Sequence, residues 1–156
     1  MIRDATLSAC GKFRFTLVRE WNPARPRLLF IMLNPSTADA DVDDQTIRKC
    51  VTFAQRLGFG SIEVVNLFAY RATNPIDLKR AGWPVGEGND LVILGACTRA
   101  AEVICAWGAH ARASQRAADV LEMISPWCHP LALAVTDDGV PKHPLYLRGD
   151  SKPFPL

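Results

Sequence analysis

The chain has 156 residues, of which 49% are hydrophobic and 22% charged, a composition that excludes a disordered or fibrous chain and fits an ordinary globular protein. A chain of this length buries roughly two-thirds of the surface that it exposes when unfolded, so its core needs no disulfide or metal. The net charge of +2 is too small to identify a nucleic-acid or membrane partner. We therefore expect one domain over residues 1–156.

The five cysteines are odd in number and include no C-x-x-C pair of the kind that binds zinc or an iron–sulfur cluster. We interpret them as reduced, mostly buried thiols, and we expect no metal and no cofactor. Residues 1–5 lack the apolar core of a signal peptide, and no apolar run approaches the roughly 20 residues that span a bilayer. These patterns predict a cytoplasmic protein without a membrane partner.

The first predicted elements are two strands of different character. Residues 13–19 alternate apolar and polar side chains, which predicts a half-exposed strand at an edge or in a hairpin. Residues 28–33 are apolar without alternation, which is typical of a central strand covered on both faces. This second strand stops at Asn34-Pro35, so Asn34 is expected at a carboxyl end.

The rest of the chain alternates helices with strands. A helical stripe begins at Asp43 or Asp44, and a β-branched run with Asn66 near its end follows. The later predictions are a short helical turn inside an irregular segment 71–88, helices over 89–99 and 111–124, strands over 102–107 and 131–135, a turn at 137–139 and an extended tail 151–156. This alternation predicts a three-layer α/β/α fold with a central, mostly parallel sheet.

Three neutral polar side chains follow the ends of these strands. Asn34 alone is compatible with a simple turn, and His143 alone with a turn cap. Asn66 lies in an apolar run, where a buried amide needs partners for both its oxygen and its nitrogen. Because strand ends of a parallel sheet meet at one edge, the three side chains together predict a small-molecule pocket there.

Three other combinations of residues suggest different sites, namely a cation site, a serine relay and a basic rim. The acidic segment Asp39, Asp41, Asp43 and Asp44 lacks the glycine and the twelfth-position glutamate of a calcium loop. Helix capping is the favoured interpretation, and weak magnesium binding is left open. A Ser36–His143–Asp137 relay has no G-x-S-x-G motif to support it. A simple solvated surface is favoured over a basic rim for five cations, namely Arg71, Arg112, Arg116, Lys142 and Arg148.

With these residues in view, the chain resembles a family of uncharacterised bacterial and phage domains. The resemblance covers about residues 13–148. It is carried by four motifs, Met32-Leu33-Asn34-Pro35-Ser36-Thr37-Ala38-Asp39, Asn66-Leu67-Phe68-Ala69, Ala106-Trp107-Gly108 and His143-Pro144-Leu145-Tyr146. The resemblance implies a fold and a site and leaves the reaction open.

The chain also resembles, more distantly, the uracil-DNA glycosylase superfamily. Its members share an Asn-Pro or Asp-Pro motif after the first core strand and a late histidine-proline motif, to which Asn34-Pro35 and His143-Pro144 are similar. The likeness implies a glycosylase-like fold, a nucleobase-containing ligand such as DNA and a role in DNA repair. The likeness also implies two catalytic residues. Asn34 would position the attacking water, and His143 would donate a hydrogen bond to the departing nucleobase. Implied substrate-binding residues are Pro35, Ser36, Asn66, Phe68 and Tyr146.

The chain departs from that superfamily at several positions. An acidic loop follows Asn34-Pro35 and would repel phosphates, the Ser-Pro element after His143-Pro144 is absent, and no aromatic residue matches the base-stacking position. Three functions therefore remain open. They are hydrolysis of an N-glycosidic bond in DNA or a nucleotide, binding of a nucleotide or nucleic acid without catalysis, and a hydrolase acting through Ser36 or Thr37.

Overall fold

The computed structural model describes residues 1–110 and 113–156, and these form an α/β fold around one mixed sheet of seven strands. The strands lie in the order β1-β2-β4-β3-β5-β6-β7. Their bounds are Ile2–Leu7 (β1), Arg14–Glu20 (β2), Arg27–Met32 (β3), Ser61–Asn66 (β4), Glu102–Cys105 (β5), Leu131–Ala132 (β6) and Phe154–Pro155 (β7). The helices are Gln45–Arg56 (α1), Pro75–Arg80 (α2), Asn89–Arg99 (α3), Ala113–Ile124 (α4) and one 3₁₀ turn, Pro144–Tyr146.

The centre of the sheet is parallel, and both edges are antiparallel. Strand β3 pairs in parallel with β4 on one side and β5 on the other, and β6 continues from β5. The β1–β2 hairpin adds to β4, and β7 adds to β6, both in antiparallel fashion. The expectation of a mostly parallel sheet is thus corrected to a mixed one, since three of the six pairings between described strands are antiparallel.

Helices cover both faces of this sheet. Side chains of successive strand residues point to opposite faces, so β3 sends Phe30 to one side and Ile31 to the other. The Phe30 side packs against α1, which contributes Phe53. The Ile31 side packs against α3 and α4, which contribute Ile93 and Val120. These two apolar cores explain why residues 28–33 form a continuous apolar run.

In-register pairing brings the carboxyl ends of the central strands together. Met32, the last residue of β3, lies beside Asn66, the last residue of β4. The pairing continues past the strand ends, since the Leu67 amide donates to the Met32 carbonyl at 2.8 Å and the Ala106 amide donates to the Ile31 carbonyl at 2.8 Å. The residues that follow these three strands are therefore delivered to one edge.

Most predicted elements are found close to their expected bounds. Asp44 caps α1 by accepting a hydrogen bond from the Ile47 amide, which confirms the capping interpretation. Helix α3 has the predicted bounds, and the first two residues of the predicted helix 111–124 lie outside the described residues. The last predicted strand, 131–135, is shorter than expected, because only Leu131–Ala132 pairs in the sheet. The tail forms β7 rather than lying alone on the surface.

The five cysteines are unpaired. Cys50, Cys97 and Cys105 are buried, Cys128 is half-buried and Cys10 is exposed. No helix among residues 1–110 and 113–156 is long and apolar enough to span a membrane.

Gly60 joins the β2–β3 turn to the start of β4 and so sets where β4 begins. Its carbonyl accepts from the Asn22 amide at 3.0 Å, and its amide donates to the Pro26 carbonyl at 2.9 Å. A Cβ at position 60 would lie 1.9 Å from the Asn22 carbonyl oxygen and 2.7 Å from Arg25 Cβ. Backbone atoms cannot yield to such a contact cheaply.

We expect Gly60→Ala to lower the free energy of unfolding by about 3 kcal/mol or more, because the new methyl group overlaps the Asn22 carbonyl. Urea denaturation measures this value. Gly95→Ala is the matched control, since Gly95 lies inside α3 and its added Cβ would meet only the flexible end of Arg99. That change should stabilise the protein by up to about 1 kcal/mol. Equal effects of the two substitutions would contradict the prediction.

Candidate functional site

A cavity of about 540 Å³ opens where the central strands end. Its walls come from the residues after β3 and β5, the end of β4, the first turn of α1 and the 3₁₀ turn. The chain passes from β3 to β4 on one side of the sheet and later to β5 on the other side, so the cavity lies at a topological switch point. Its volume falls in the range of roughly 300–1,000 Å³ that is usual for small-molecule sites.

Asn66 lies at the inner end of this cavity, and its side-chain amide has no hydrogen-bond partner among the described residues. Its side chain is 1% exposed and lines the cavity, and its Nδ2 is buried without a hydrogen bond. The side-chain Nδ2 of Asn89 donates to the backbone carbonyl of Asn66 at 2.9 Å, so this bond does not involve the Asn66 side chain. An unpartnered buried amide costs about 1–3 kcal/mol, so this side chain is retained at the expense of stability.

Within the described structure, the side-chain amide of Asn34 is fixed by hydrogen bonds at its nitrogen only. Its Nδ2 donates to the Ala72 carbonyl at 2.7 Å and to the Pro35 carbonyl at 3.0 Å. These two bonds fix the side chain, which lines the cavity. Its Oδ1 accepts no hydrogen bond from the described part of the chain, so it is available as an acceptor.

His143 presents a defined tautomer to the cavity. The Leu145 amide donates to its Nδ1 at 3.2 Å, because His143 caps the 3₁₀ turn. In the neutral imidazole the proton therefore lies on Nε2, which becomes a donor. Burial lowers the pKa of His143, and the nearby Asp44 carboxylate opposes part of that shift. The ring is thus neutral at physiological pH.

The Trp107-Gly108 turn positions the histidine. The Gly108 amide donates to the Pro141 carbonyl at 3.0 Å, which ties the end of β5 to the segment that carries His143. Gly108 has φ of 81° and its missing Cβ faces His143 Cβ, so a glycine is favoured here. Trp107 is buried and lines the cavity, and Tyr146 lies at its rim with 83% exposure.

The structure brings five of the seven predicted site residues to the cavity, namely Asn34, Ser36, Asn66, His143 and Tyr146. Pro35 and Phe68 are not among the lining residues. The Pro35 carbonyl instead supports Asn34, and Phe68 packs in the core against Trp83 with ring centroids 5.5 Å apart.

Two charged residues line the cavity that no pattern in the sequence assigns to it. Arg14 is 3% exposed and lines the cavity, although the alternation of residues 13–19 predicts a solvent-facing side chain. Asp44 caps α1, and it also lines the cavity. No motif marks either residue, because each reaches the site through the pairing of distant segments.

Two other acidic side chains of this segment, those of Asp39 and Asp43, are engaged in the structure. Asp39 accepts from the backbone amides of Asp41 and Val42, both at 2.8 Å, and these bonds lower its pKa. Asp43 forms ion pairs with Arg19 and Arg3 at 2.8 and 3.3 Å. Their role in the described structure is to hold the loop before α1.

A serine relay is not assembled in the described structure. Ser36 Oγ donates to Thr73 Oγ1 at 3.3 Å, and His143 Nδ1 is occupied by the Leu145 amide. Asp137 is exposed on the turn before His143.

The described cations do not form a basic rim around the cavity. Arg71 binds the carbonyls of Ser36 and Thr37, and Arg116 pairs with Asp90. Lys142 and Arg148 are exposed and lie outside the cavity lining, and Arg112 lies outside the described residues.

We expect the His143 imidazole to titrate below its unfolded-state value of about 6.5, because burial disfavours the charged ring. The unfolded chain then binds the proton more tightly, so stability decreases as the pH falls from about 6.5 through the folded-state pKa. Two-bond ¹H–¹⁵N spectra measure the midpoint, with a His143→Gln sample to assign the resonance and a urea-unfolded sample as reference. A midpoint at or above the unfolded value, or a proton resident on Nδ1 of the neutral ring, would contradict the assigned tautomer.

Comparison with known proteins gives one family-level result. Residues 14–145 match the family model described as "Protein of unknown function (DUF1643)". No curated protein and no solved structure matches the chain. The matched segment contains Arg14, Asn34, Asn66 and His143 and covers most of the chain. The chain therefore belongs to the DUF1643 family of domains of unknown function.

Proposed function

We propose that this protein recognises a nucleobase in the cavity and hydrolyses the N-glycosidic bond that joins the base to its sugar. The observation that carries the proposal is the buried side-chain amide of Asn66, which lines the cavity and has no partner in the described part of the chain. Every nucleobase has an edge with adjacent donors and acceptors, and one amide can satisfy both. A ligand of this kind would remove the cost of the unpaired amide.

The arrangement of Asn34 and His143 supports hydrolysis. Water attacks the anomeric carbon, the carbon–nitrogen bond breaks, and its electron pair leaves with the base. The free Oδ1 of Asn34 can accept a hydrogen bond from the attacking water, and Nε2–H of His143 can donate to an oxygen of the departing base. A preorganised donor stabilises the negative charge that develops on the base. The hydroxyl group ends on the sugar and the proton on the base.

The order of the motifs agrees with this assignment. Asn34-Pro35 after the first central strand, Asn66 at the end of the next one and His143-Pro144 late in the chain occur in the order seen in the uracil-DNA glycosylase superfamily. We propose on these grounds that the fold is of that type, that the substrate is DNA or a nucleotide and that the role is in DNA repair.

Binding without catalysis is the second candidate, and one observation favours it. Asn34 is an amide and cannot remove a proton from water, and the carboxylate of Asp44 in the cavity already accepts the Ile47 amide through Oδ1. A site that retains the nucleobase pocket but lacks a general base would bind nucleotides or nucleic acid without cleaving them.

The binding step is tested by Asn66→Leu, which keeps the side-chain volume and removes the unpaired amide. We expect its affinity for free uracil and hypoxanthine, measured by titration calorimetry, to fall at least about tenfold, while its free energy of unfolding is unchanged or rises by up to about 3 kcal/mol. Asn89→Leu is the matched control. Asn89 is also fully buried, but its amide donates to the Asn66 and Leu67 carbonyls, so its loss should destabilise the protein. Unchanged base affinity in Asn66→Leu would remove the basis of the proposal.

The chemical step is tested by base release from oligonucleotides that contain uracil, hypoxanthine or mismatched bases. We expect single-turnover release by the unaltered protein, and a loss of about 100- to 1,000-fold in His143→Ala because a donor to the departing base is removed. Asn34→Ala should lose release to a similar degree. Base binding without release from any of these substrates would favour the binding module. An adduct on Ser36 after treatment with a serine-reactive phosphonate would support the hydrolase instead.

A further inference from the structure

Arg14 is a buried cation without a counter-ion in the described structure. The side chain is 3% exposed, and its single hydrogen bond runs from Nη1 to the Ala38 carbonyl at 2.8 Å. Its Nε is buried without a partner, and no described carboxylate lies within ion-pair distance of it. Burial lowers the pKa of Arg14 to about 10, so the guanidinium stays charged at neutral pH.

Arg19, five residues further along β2, shows how a structural arginine is held in this protein. It is 0% exposed, and its Nε donates to Asp43 at 2.8 Å. Its other nitrogens donate to the carbonyls of Val18 and Asp39. A buried charge is tolerated when it is paired and hydrogen-bonded in this way. Arg14 lacks the pairing and, unlike Arg19, it lines the cavity.

The first turn of α1 lies in the same wall of the cavity. Gln45 and Thr46 line it, and their backbone amides are the first two of a 12-residue helix, where no carbonyl of the helix can accept from them. Neither amide bonds to another described residue, whereas Ile47 is capped by Asp44. Amides at a helix start and an arginine are the groups that proteins use to bind phosphate oxygens.

Four further charges act on Arg14. The carboxylates of Asp44 and Asp39 favour its charged form, and the guanidinium groups of Arg71 and Arg19 oppose it. Asp39 and Arg71 are occupied by hydrogen bonds to loop backbone. Asp44 lines the cavity, so an anion that binds Arg14 also experiences the Asp44 charge.

We propose that the cavity contains a phosphate subsite, formed by the Arg14 guanidinium and the free amides of Gln45 and Thr46. This inference rests on the proposed function in one respect: the same ligand would place its base at Asn66 and its phosphate at Arg14, which makes it a nucleotide unit rather than a free base or nucleoside. A phosphate monoester of a free nucleotide and a phosphodiester of a strand present the same oxygens to this subsite.

The test compares 2′-deoxyuridine and 2′-deoxyinosine with their 5′-monophosphates, inorganic phosphate and a short single-stranded oligonucleotide, by titration calorimetry at fixed ionic strength. The full chain should bind a monophosphate at least about tenfold more tightly than its nucleoside, since a charge-assisted bond to arginine is lost in the nucleoside. In Arg14→Met this preference should fall to about one. Asp44→Asn keeps the helix cap and removes the negative charge, so it should strengthen phosphate binding.

Stability measurements separate the subsite from a structural role. Arg14→Met removes an unpaired buried charge and should leave the melting temperature unchanged or raise it, whereas Arg19→Met breaks a buried pair and should lower it. If Arg14→Met does not fold, Arg14→Lys keeps the charge but loses Nε and the planar fork, and it should reduce the monophosphate preference several-fold.

The outcomes distinguish this inference from the proposed function. Inorganic phosphate binding that depends on Arg14, without any binding of the nucleosides, supports the subsite and contradicts base recognition. Nucleosides that bind as well as their monophosphates overturn the subsite, and so does equal phosphate affinity in the full chain and Arg14→Met. Binding of the oligonucleotide alone, lost in Arg14→Met, assigns the phosphate to a strand rather than to a free nucleotide.

Discussion

The parallel pairing of β3 with both β4 and β5 is the constraint on which the site depends. It aligns Met32 with Asn66 and Ile31 with Cys105, so the three strands end at nearly the same level. Hydrogen bonds continue the pairing for one or two residues beyond the strands, and only then does the chain turn away. A shift of register by one residue would turn Asn66 from the α1 side of the sheet to the α3 and α4 side.

A site built from unpaired polar groups needs a rigid frame. Asn66 and Arg14 are both buried with unpartnered nitrogens, and each such group costs about 1–3 kcal/mol. The apolar cores on the two faces of the sheet, with Phe30 on one and Ile31 on the other, supply the packing that offsets this cost. The polar groups could relax toward backbone partners only by disturbing that packing, so they stay directed at the cavity.

Local sequence patterns predict the central strands and the helices of this chain better than the strands at the edges of the sheet. Residues 28–33 and the helix 89–99 were recognisable because continuous apolar runs and glycine punctuation act within a few residues. Strands β1 and β7 were missed, because a strand at a sheet edge is stabilised by a neighbour far away in sequence. The burial of Arg14 has a similar cause: its strand alternates like a half-exposed one, but the distant loop after β3 covers the side chain, which donates to the Ala38 carbonyl.

The backbone around the site also determines which half of each polar side chain is left for a ligand. Asn34 and His143 each have one donor and one acceptor end, and the described structure uses the donor of Asn34 and the acceptor of His143. What remains is an acceptor at one position and a donor at the other. Asn66 keeps both, because the backbone near it is already paired within the sheet. A complementary ligand must therefore donate near Asn34 and accept near His143, a polarity that follows from hydrogen bonds to Ala72 and Leu145 rather than from the identity of the site residues.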